Sequence, residues 1–263
     1  MLRDAERRRG DGFDPRRVEE AGLNTMQTQR QLFYDGWLLR LSPGSAKRGR
    51  SVNPHFGSRL PLEAKIDHCE AVYARHRLPV LFRITPFMQP PELEAALAAR
   101  GYVEFDDTLV QTLPLGRLPA LPKTADGPAP ELTDVHVFVD AVAALRESTD
   151  RQREALRERL AQSALDKRFA VVRAGGRVVC TAQVAIEERL VGVFDVVTAA
   201  EERGRGHATR ICGVLLAAAR EGGAKLAYLQ VSAGNAPALG VYGKLGFATA
   251  YRYHYRGRPG ACE

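Results

Sequence analysis

The stretch Arg203-Gly204-Arg205-Gly206-His207-Ala208 combines two glycines, two arginines and the first residues of a helical pattern. The first four amides of a helix have no intrahelical partner, and the helix dipole adds positive potential there, so an anion is at home. Gly204 and Gly206 let the backbone curl and approach a phosphate, while Arg203 and Arg205 add positive charge. By itself this turn fits three readings: a phosphate-bearing ligand, a dinucleotide, or a helix start with no ligand. Against the dinucleotide, Thr209 stands where its fingerprint wants Gly or Ala, and no acidic residue closes the next strand, Leu226 to Val231.

A second element follows: Asn235-Ala236-Pro237-Ala238-Leu239-Gly240-Val241-Tyr242-Gly243-Lys244-Leu245-Gly246-Phe247. Arg203-x-x-Gly206-x-Ala208 followed by this Asn-x6-Tyr-x3-Gly-Phe resembles the GNAT superfamily of N-acetyltransferases, over about residues 131–256. The resemblance implies acetyl-CoA as cofactor and a primary amine, on a small molecule or a protein, as acceptor. It implies that backbone groups of Val196, Val197 and Thr198 pair with the pantetheine arm. It implies further that Arg203, Gly204, Arg205, Gly206, His207 and Ala208 bind the pyrophosphate, that Asn235 holds the pantetheine from the far side, and that the Tyr242 hydroxyl reaches the sulfur.

Tyr242 suits that place, because a departing thiolate needs a proton and a phenol with a pKa of about 10 carries one at neutral pH. A tyrosine merely packed in the core is the alternative. The proton acceptor is harder to name. Many members of the superfamily have Glu five residues before the asparagine, where this chain has Gln230, which is not a base. Asp195 and Glu187 are the remaining carboxylates; a water relay or an acceptor amine of lower pKa would need neither. His254, among Tyr251, Tyr253 and Tyr255, reads as a surface strand residue.

These residues need a scaffold, and the hydrophobic pattern supplies one. In the second half, helices are expected near Val135 to Leu145 and Arg151 to Ser163, then strands Phe169 to Arg173 and Arg177 to Ile186 around a Gly175-Gly176 turn. A strand Leu190 to Thr198 leads to the glycine-rich turn. A long helix ended by Gly222-Gly223, the strand Leu226 to Val231, a helix Asn235 to Leu245 and a strand Phe247 to Tyr255 complete the half. In the first half, the Asp35-Gly36 pair marks a hairpin within Gln31 to Arg40. A helix Leu62 to His76, a strand Val80 to Ile84, a helix Pro91 to Arg100 capped by Gly101 and a strand Tyr102 to Leu113 follow.

The helix ending at Gly101-Tyr102 echoes the one ending at Gly246-Phe247, with Leu97 where the second copy has Tyr242. Residues 26–115 therefore read as a degenerate GNAT-like half without catalysis of its own. Its Trp37, Asn53 and Arg83 either face the acceptor site or simply hold that half together. Residues 1–25 read as a weakly ordered arm, 116–130 as a Pro/Gly-rich linker, and 131–263 as the catalytic part. The fold expected is α/β (α+β): a mixed, splayed central sheet flanked by helices, preceded by a smaller α/β domain.

The chain of 263 residues has 45% hydrophobic and 26% charged residues, which fits a folded globular protein. Its net charge of +7 is spread, with 19 Lys and Arg against 16 Asp and Glu up to residue 130 and 19 against 15 beyond it. An evenly basic surface argues against direct nucleic-acid binding. Cys69, Cys180, Cys212 and Cys262 lack CxxC spacing and the six histidines lack zinc-like spacing, so reduced cytoplasmic thiols and no metal are expected. No run of apolar residues is long enough for a bilayer. Whether the chain is a monomer or a homodimer stays open, and a noncatalytic CoA-binding module is the rival function.

Overall fold

The structure, a computed structural model, describes residues 14–44, 46–120 and 127–260. In chain order the described elements are α1 (Pro15–Thr25), β1 (Gln31–Tyr34), β2 (Trp37–Arg40), β3 (Val52–Asn53), α2 (Leu62–Arg75), β4 (Leu81–Ile84), α3 (Leu93–Ala99) and β5 (Val103–Pro114). Then follow β6 (Pro130–Thr133), α4 (Val135–Leu145), α5 (Asp150–Ala161), β7 (Asp166–Ala174), β8 (Arg177–Glu187) and β9 (Leu190–Thr198). The last are α6 (His207–Glu221), β10 (Leu226–Ser232), α7 (Ala236–Lys244) and β11 (Ala248–Gly257). No helix among the described residues is long and apolar enough to cross a membrane.

All eleven strands form one mixed sheet, in the order β1-β2-β3-β4-β11-β5-β10-β9-β8-β7-β6. The helices flank it, as the expected fold class requires. The order strand, strand, strand, helix, strand, helix, strand occurs twice, once from β1 to β5 and once from β7 to β11. Each copy has antiparallel neighbours except for one parallel pair, β3 with β4 and β9 with β10. The echo between Gly101-Tyr102 and Gly246-Phe247 is thus the visible end of a repeated topology. The closing strands are exchanged: β5 of the first copy pairs with β10 of the second, and β11 of the second with β4 of the first. The two closing strands also pair with each other.

Of four apolar clusters among the described residues, the two largest follow the helical and strand periods in the sequence. Ile211, Cys212, Leu215, Leu216 and Ala219 of α6 pack on Val172, Cys180, Val184 and Val191. Ile66, Cys69, Val72 and Tyr73 of α2, with Leu93 and Leu97 of α3, pack on Trp37, Leu39 and Phe82. Cys69, Cys180 and Cys212 are buried free thiols, and Cys262 lies outside the described residues.

Two expectations are corrected. Residues 15–25 are a helix, not a weakly ordered arm, capped by the Asp14 side chain with Pro15 in the first turn. Val18, Ala21 and Leu23 are buried, and so is Glu19, at 2% exposure. Its charges misled because Glu19 is not solvated: it pairs with buried Arg83 at 2.8 Å and accepts the Tyr251 hydroxyl at 2.7 Å. Residues 1–13 lie outside the described residues. The linker region also holds order, since Leu118 enters the core beneath α6 and β6 begins at Pro130; residues 121–126 are not among those described.

Helix α1 bridges the two copies. Glu19 engages Arg83 of β4, while Arg17 and Asn24 bind Glu187 at the end of β8. Removing one partner of a buried ion pair leaves the other charge uncompensated, at a cost of about 3–5 kcal/mol. Glu19→Ala is expected to lose stability in that range by urea unfolding, and a loss below about 1 kcal/mol would show that Arg83 is solvated after all.

Candidate active site

The site begins where two parallel strands part. β9 and β10 pair only at Leu190 with Leu226, Val191 with Ala227 and Gly192 with Tyr228. Beyond that point the sheet splays, and β9 from Val193 to Thr198 presents a strand edge to the opening. Tyr228 sits at the apex: a Cβ on Gly192 would lie 2.6 Å from its ring, so only glycine fits beneath it. The Thr25 hydroxyl donates to the Ala21 carbonyl, which leaves the Tyr228 hydroxyl to donate to Thr25 at 3.2 Å. Helix α1 is thereby pinned to the apex.

A bulge lies on β9 just past the apex, because Thr181 pairs with Val197 and Gln183 with Phe194. Asp195 occupies it with a left-handed φ of 48°. Phe194, Asp195 and Val196 line a cleft of about 260 Å³ with Arg48, Arg146, Arg159, Gln230, Asn235 and Tyr242. The structure therefore brings Asp195, Val196, Asn235 and Tyr242 into one cavity. Val197 and Thr198 continue along the same edge toward the glycine-rich turn.

That turn is built as its residue types suggested. Gly204 and Gly206 have φ of 81° and 82°, the conformation that favours glycine. Gly206 caps α6 with no side-chain hydrogen bond to the helix amides, and a Cβ at either glycine would meet no protein atom within 4 Å. His207 turns inward and reaches Glu202 at 3.3 Å, while Arg205 pairs with the same carboxylate at 3.2 Å.

The first copy closes the corresponding turn. The Asp35 carboxylate accepts the amides of Arg59 and Leu60, both at 2.9 Å, just ahead of α2. Lys65, fully buried, adds an ion pair to Asp35 at 3.2 Å. The Leu60 amide, then that of Arg59 and the Lys65 ammonium, holds the Asp35 carboxyl below its usual range. An internal carboxylate thus holds two loop amides just ahead of α2, whereas Gly206 caps α6 with no side-chain hydrogen bond.

Tyr242 projects from α7 into the cleft, with its ring edge-on to Phe247. Burial pushes its pKa well above that of a free phenol, so it stays protonated across the physiological range. Asn235 lines the cleft and also caps α7, accepting the Ala238 amide at 3.2 Å.

Asp195 is tightly held. Arg146 approaches it at 2.9 Å and Arg159 at 3.9 Å, and the Gln183 amide donates to it. Burial alone would raise its pKa, but the two guanidinium groups and the amide outweigh burial and lower it. A carboxylate held in its ionised form is a weak proton acceptor. Glu187 does not line the cleft; Arg17 and Asn24 occupy it. Gln230 lines the cleft, and its Oε1 accepts from Arg48 at 2.9 Å and from the Tyr253 hydroxyl at 3.2 Å.

Trp37, Asn53 and Arg83 belong to the packing of the first copy. The Trp37 indole donates to the Gln89 carbonyl at 2.7 Å, and Asn53 donates to the carbonyls of Leu38 and Ser51. His254 is half-buried beside Glu94 and Glu104, where Arg256, 3.0 Å from Glu94, already supplies positive charge. Sequence reading missed Arg48, Arg146 and Arg159. Their basic character was visible, but only the folded arrangement of a loop, the end of α4 and α5 brings them together.

Comparison with known proteins bears on the fold and the family. A protein of Bacillus subtilis (strain 168) described as "Uncharacterized N-acetyltransferase YobR" is 26% identical over 247 residues, covering 92% of this chain and 98% of that one. A GCN5-related N-acetyltransferase from Kribbella flavida superposes with a TM-score of 0.70 at 18% identity, over 93% of this chain and 95% of its own. Another, from Sphaerobacter thermophilus, gives 0.63 at 17%, over 94% and 87%. The fold and family are those of a GNAT-type N-acetyltransferase. The chain belongs to the family described as "Probable histone acetyltransferase Rv0428c C-terminal", whose model matches residues 14–256.

Because the folded-state pKa of Asp195 is depressed, its contribution to stability is present above the unfolded value of about 3.9 and lost as pH falls below it. Urea unfolding from about pH 6 down to pH 3 should therefore show a shallower loss for Asp195→Asn than for the wild type. Parallel curves would refute the ionised, arginine-held carboxylate.

Proposed function

We propose that the protein transfers an acetyl group from acetyl-CoA to a primary amine by direct attack within a ternary complex. The observation that carries this reading is a splayed strand edge whose cleft the protonated Tyr242 lines, followed in the chain by the uncapped start of α6. The open amides of α6 would hold the pyrophosphate, assisted by Arg203 and Arg205. The edge formed by Val196, Val197 and Thr198 would pair with the pantetheine arm, with Asn235 opposite.

Acetyl-CoA supplies an activated acyl carbon on sulfur. In the transfer a carbon–nitrogen bond forms, the carbon–sulfur bond breaks, and the sulfur takes the proton of Tyr242. Asp195 serves in this reading as the anchor of Arg146 and Arg159, not as the base. The amine enters as the free base, its extra proton left to solvent. On attack the nitrogen gives up one further proton to solvent in the cleft, from which the Tyr242 phenolate regains its own, and turnover rises with pH toward the amine's own pKa. The family's description names histones. A lysine-rich tail fits poorly in a cleft lined by three arginines and one carboxylate.

A noncatalytic CoA-binding module is the second reading, favoured by Gln230 and the held Asp195; thiol release over a panel of amines separates the two. Isothermal titration should show acetyl-CoA binding, and Gly206→Val should weaken it, since valine resists a φ of 82°. Tyr242→Phe should bind acetyl-CoA as the wild type does while kcat falls about 10²-fold or more. Absence of heat with acetyl-CoA would sink the proposal, and unchanged kcat in Tyr242→Phe would remove the tyrosine from it.

A further inference from the structure

The part of the cleft beyond Tyr242 is unusually cationic. Arg48, Arg146 and Arg159 line it against the single carboxylate of Asp195. Arg146 sits 2.9 Å from Asp195, close enough to spend its charge there. Arg159 is 3.9 Å away, a looser contact. Arg48 has neutral partners among the described residues: it donates to Gln230 at 2.9 Å and lies over the Phe194 ring at 5.9 Å. Two guanidinium groups are therefore incompletely compensated in a partly enclosed space.

The surrounding cations feel this excess. Burial, together with Arg48 and Arg146, lowers the pKa of Arg159 despite the opposing pull of Asp195. Burial first and then Arg159 push the Lys167 ammonium down to about 8. Like charges confined together destabilise the fold, so such an arrangement persists where a ligand of opposite charge repays it. The arginines come from three elements: Arg48 from the loop after β2, Arg146 from the end of α4 and Arg159 from α5. Planar guanidinium forks match carboxylate and phosphate oxygens in two-point contacts.

We infer that the acceptor is a small amine that carries its own oxyanion, a carboxylate or phosphate, held by Arg48 and Arg159 while its amine faces the Tyr242 end of the cleft. The inference rests on the acetyl-transfer reading for the amine, but the anion site stands on the arginines alone. Binding the anion fixes the amine's approach and excludes cationic polypeptides by repulsion.

Matched pairs test it: phenylalanine against phenethylamine, 4-aminobutyrate against butylamine, O-phosphoethanolamine against ethanolamine, with a lysine-rich peptide alongside. With acetyl-CoA and thiol release as readout, the anionic member of at least one pair should exceed its neutral partner by about tenfold or more in kcat/KM. Arg48→Gln and Arg159→Gln should each raise KM for that anionic amine about tenfold more than they raise it for the neutral partner. A second arm reads binding without turnover: the melting temperature with each pair member, taken with and without CoA. Stabilisation by the anionic member that either arginine variant abolishes supports the inference even where no pair is turned over. Equal melting for both members, together with no anionic preference in turnover or preference for the lysine-rich peptide, overturns it. Absence of acetyl-CoA binding would instead overturn the transfer reading, and the melting arm without CoA would still decide the anion site.

Discussion

A strand inside a protein cannot leave a row of amides and carbonyls without partners. For β10 that constraint decides the architecture. On one side it pairs with β9 over three residues before the sheet opens; on the other it pairs with β5 over seven, from Leu226 with Pro114 to Ser232 with Thr108. The strand that forms one lip of the cleft is therefore held in register by the first copy of the repeat. Because β11 pairs with β4 in return, neither copy completes its own sheet.

The opening between β9 and β10 owes its shape to three further contributions. Tyr228 over Gly192 sets where the strands part, and α1 fixes Tyr228 through Thr25. Helix α1 is itself held at both ends of its reach, by Arg83 on the first copy and Glu187 on the second. Gly22 lets it come close, since a Cβ there would lie 2.7 Å from the Gln230 amide nitrogen. The bulge at Asp195 then turns a carboxylate toward Arg146 and Arg159. The arginine-lined side of the cleft is thus made of residues distant in sequence, while the turn and α7 come from one contiguous run.

That division explains what could be read from the sequence. Gly204, Gly206, Asn235 and Tyr242 act through local backbone conformation and fixed spacing, both of which a sequence displays. The hairpin at Asp35-Gly36, the helices α2, α4 and α6 and the strands β8 and β9 follow from period and turn residues in the same way. Helix α1 was missed because Glu19, Arg16 and Arg17 read as solvated charge, and only the tertiary partner Arg83 makes burial of Glu19 tolerable. The charge of the cleft was hidden for the same reason: Arg48, Arg146 and Arg159 are three among many basic residues until the fold gathers them. The exchange of β5 and β11 left no local mark at all.

Asp35 makes the two halves of the repeat unequal. The repeat has two comparable turns, one ahead of α2 and one ahead of α6. The first copy places its own carboxylate against the amides of Arg59 and Leu60, and the second copy has no side chain in that role at Gly206. A single side chain thus makes the two turns of a twofold scaffold unequal, one closed by the chain itself and the other left without a side-chain cap.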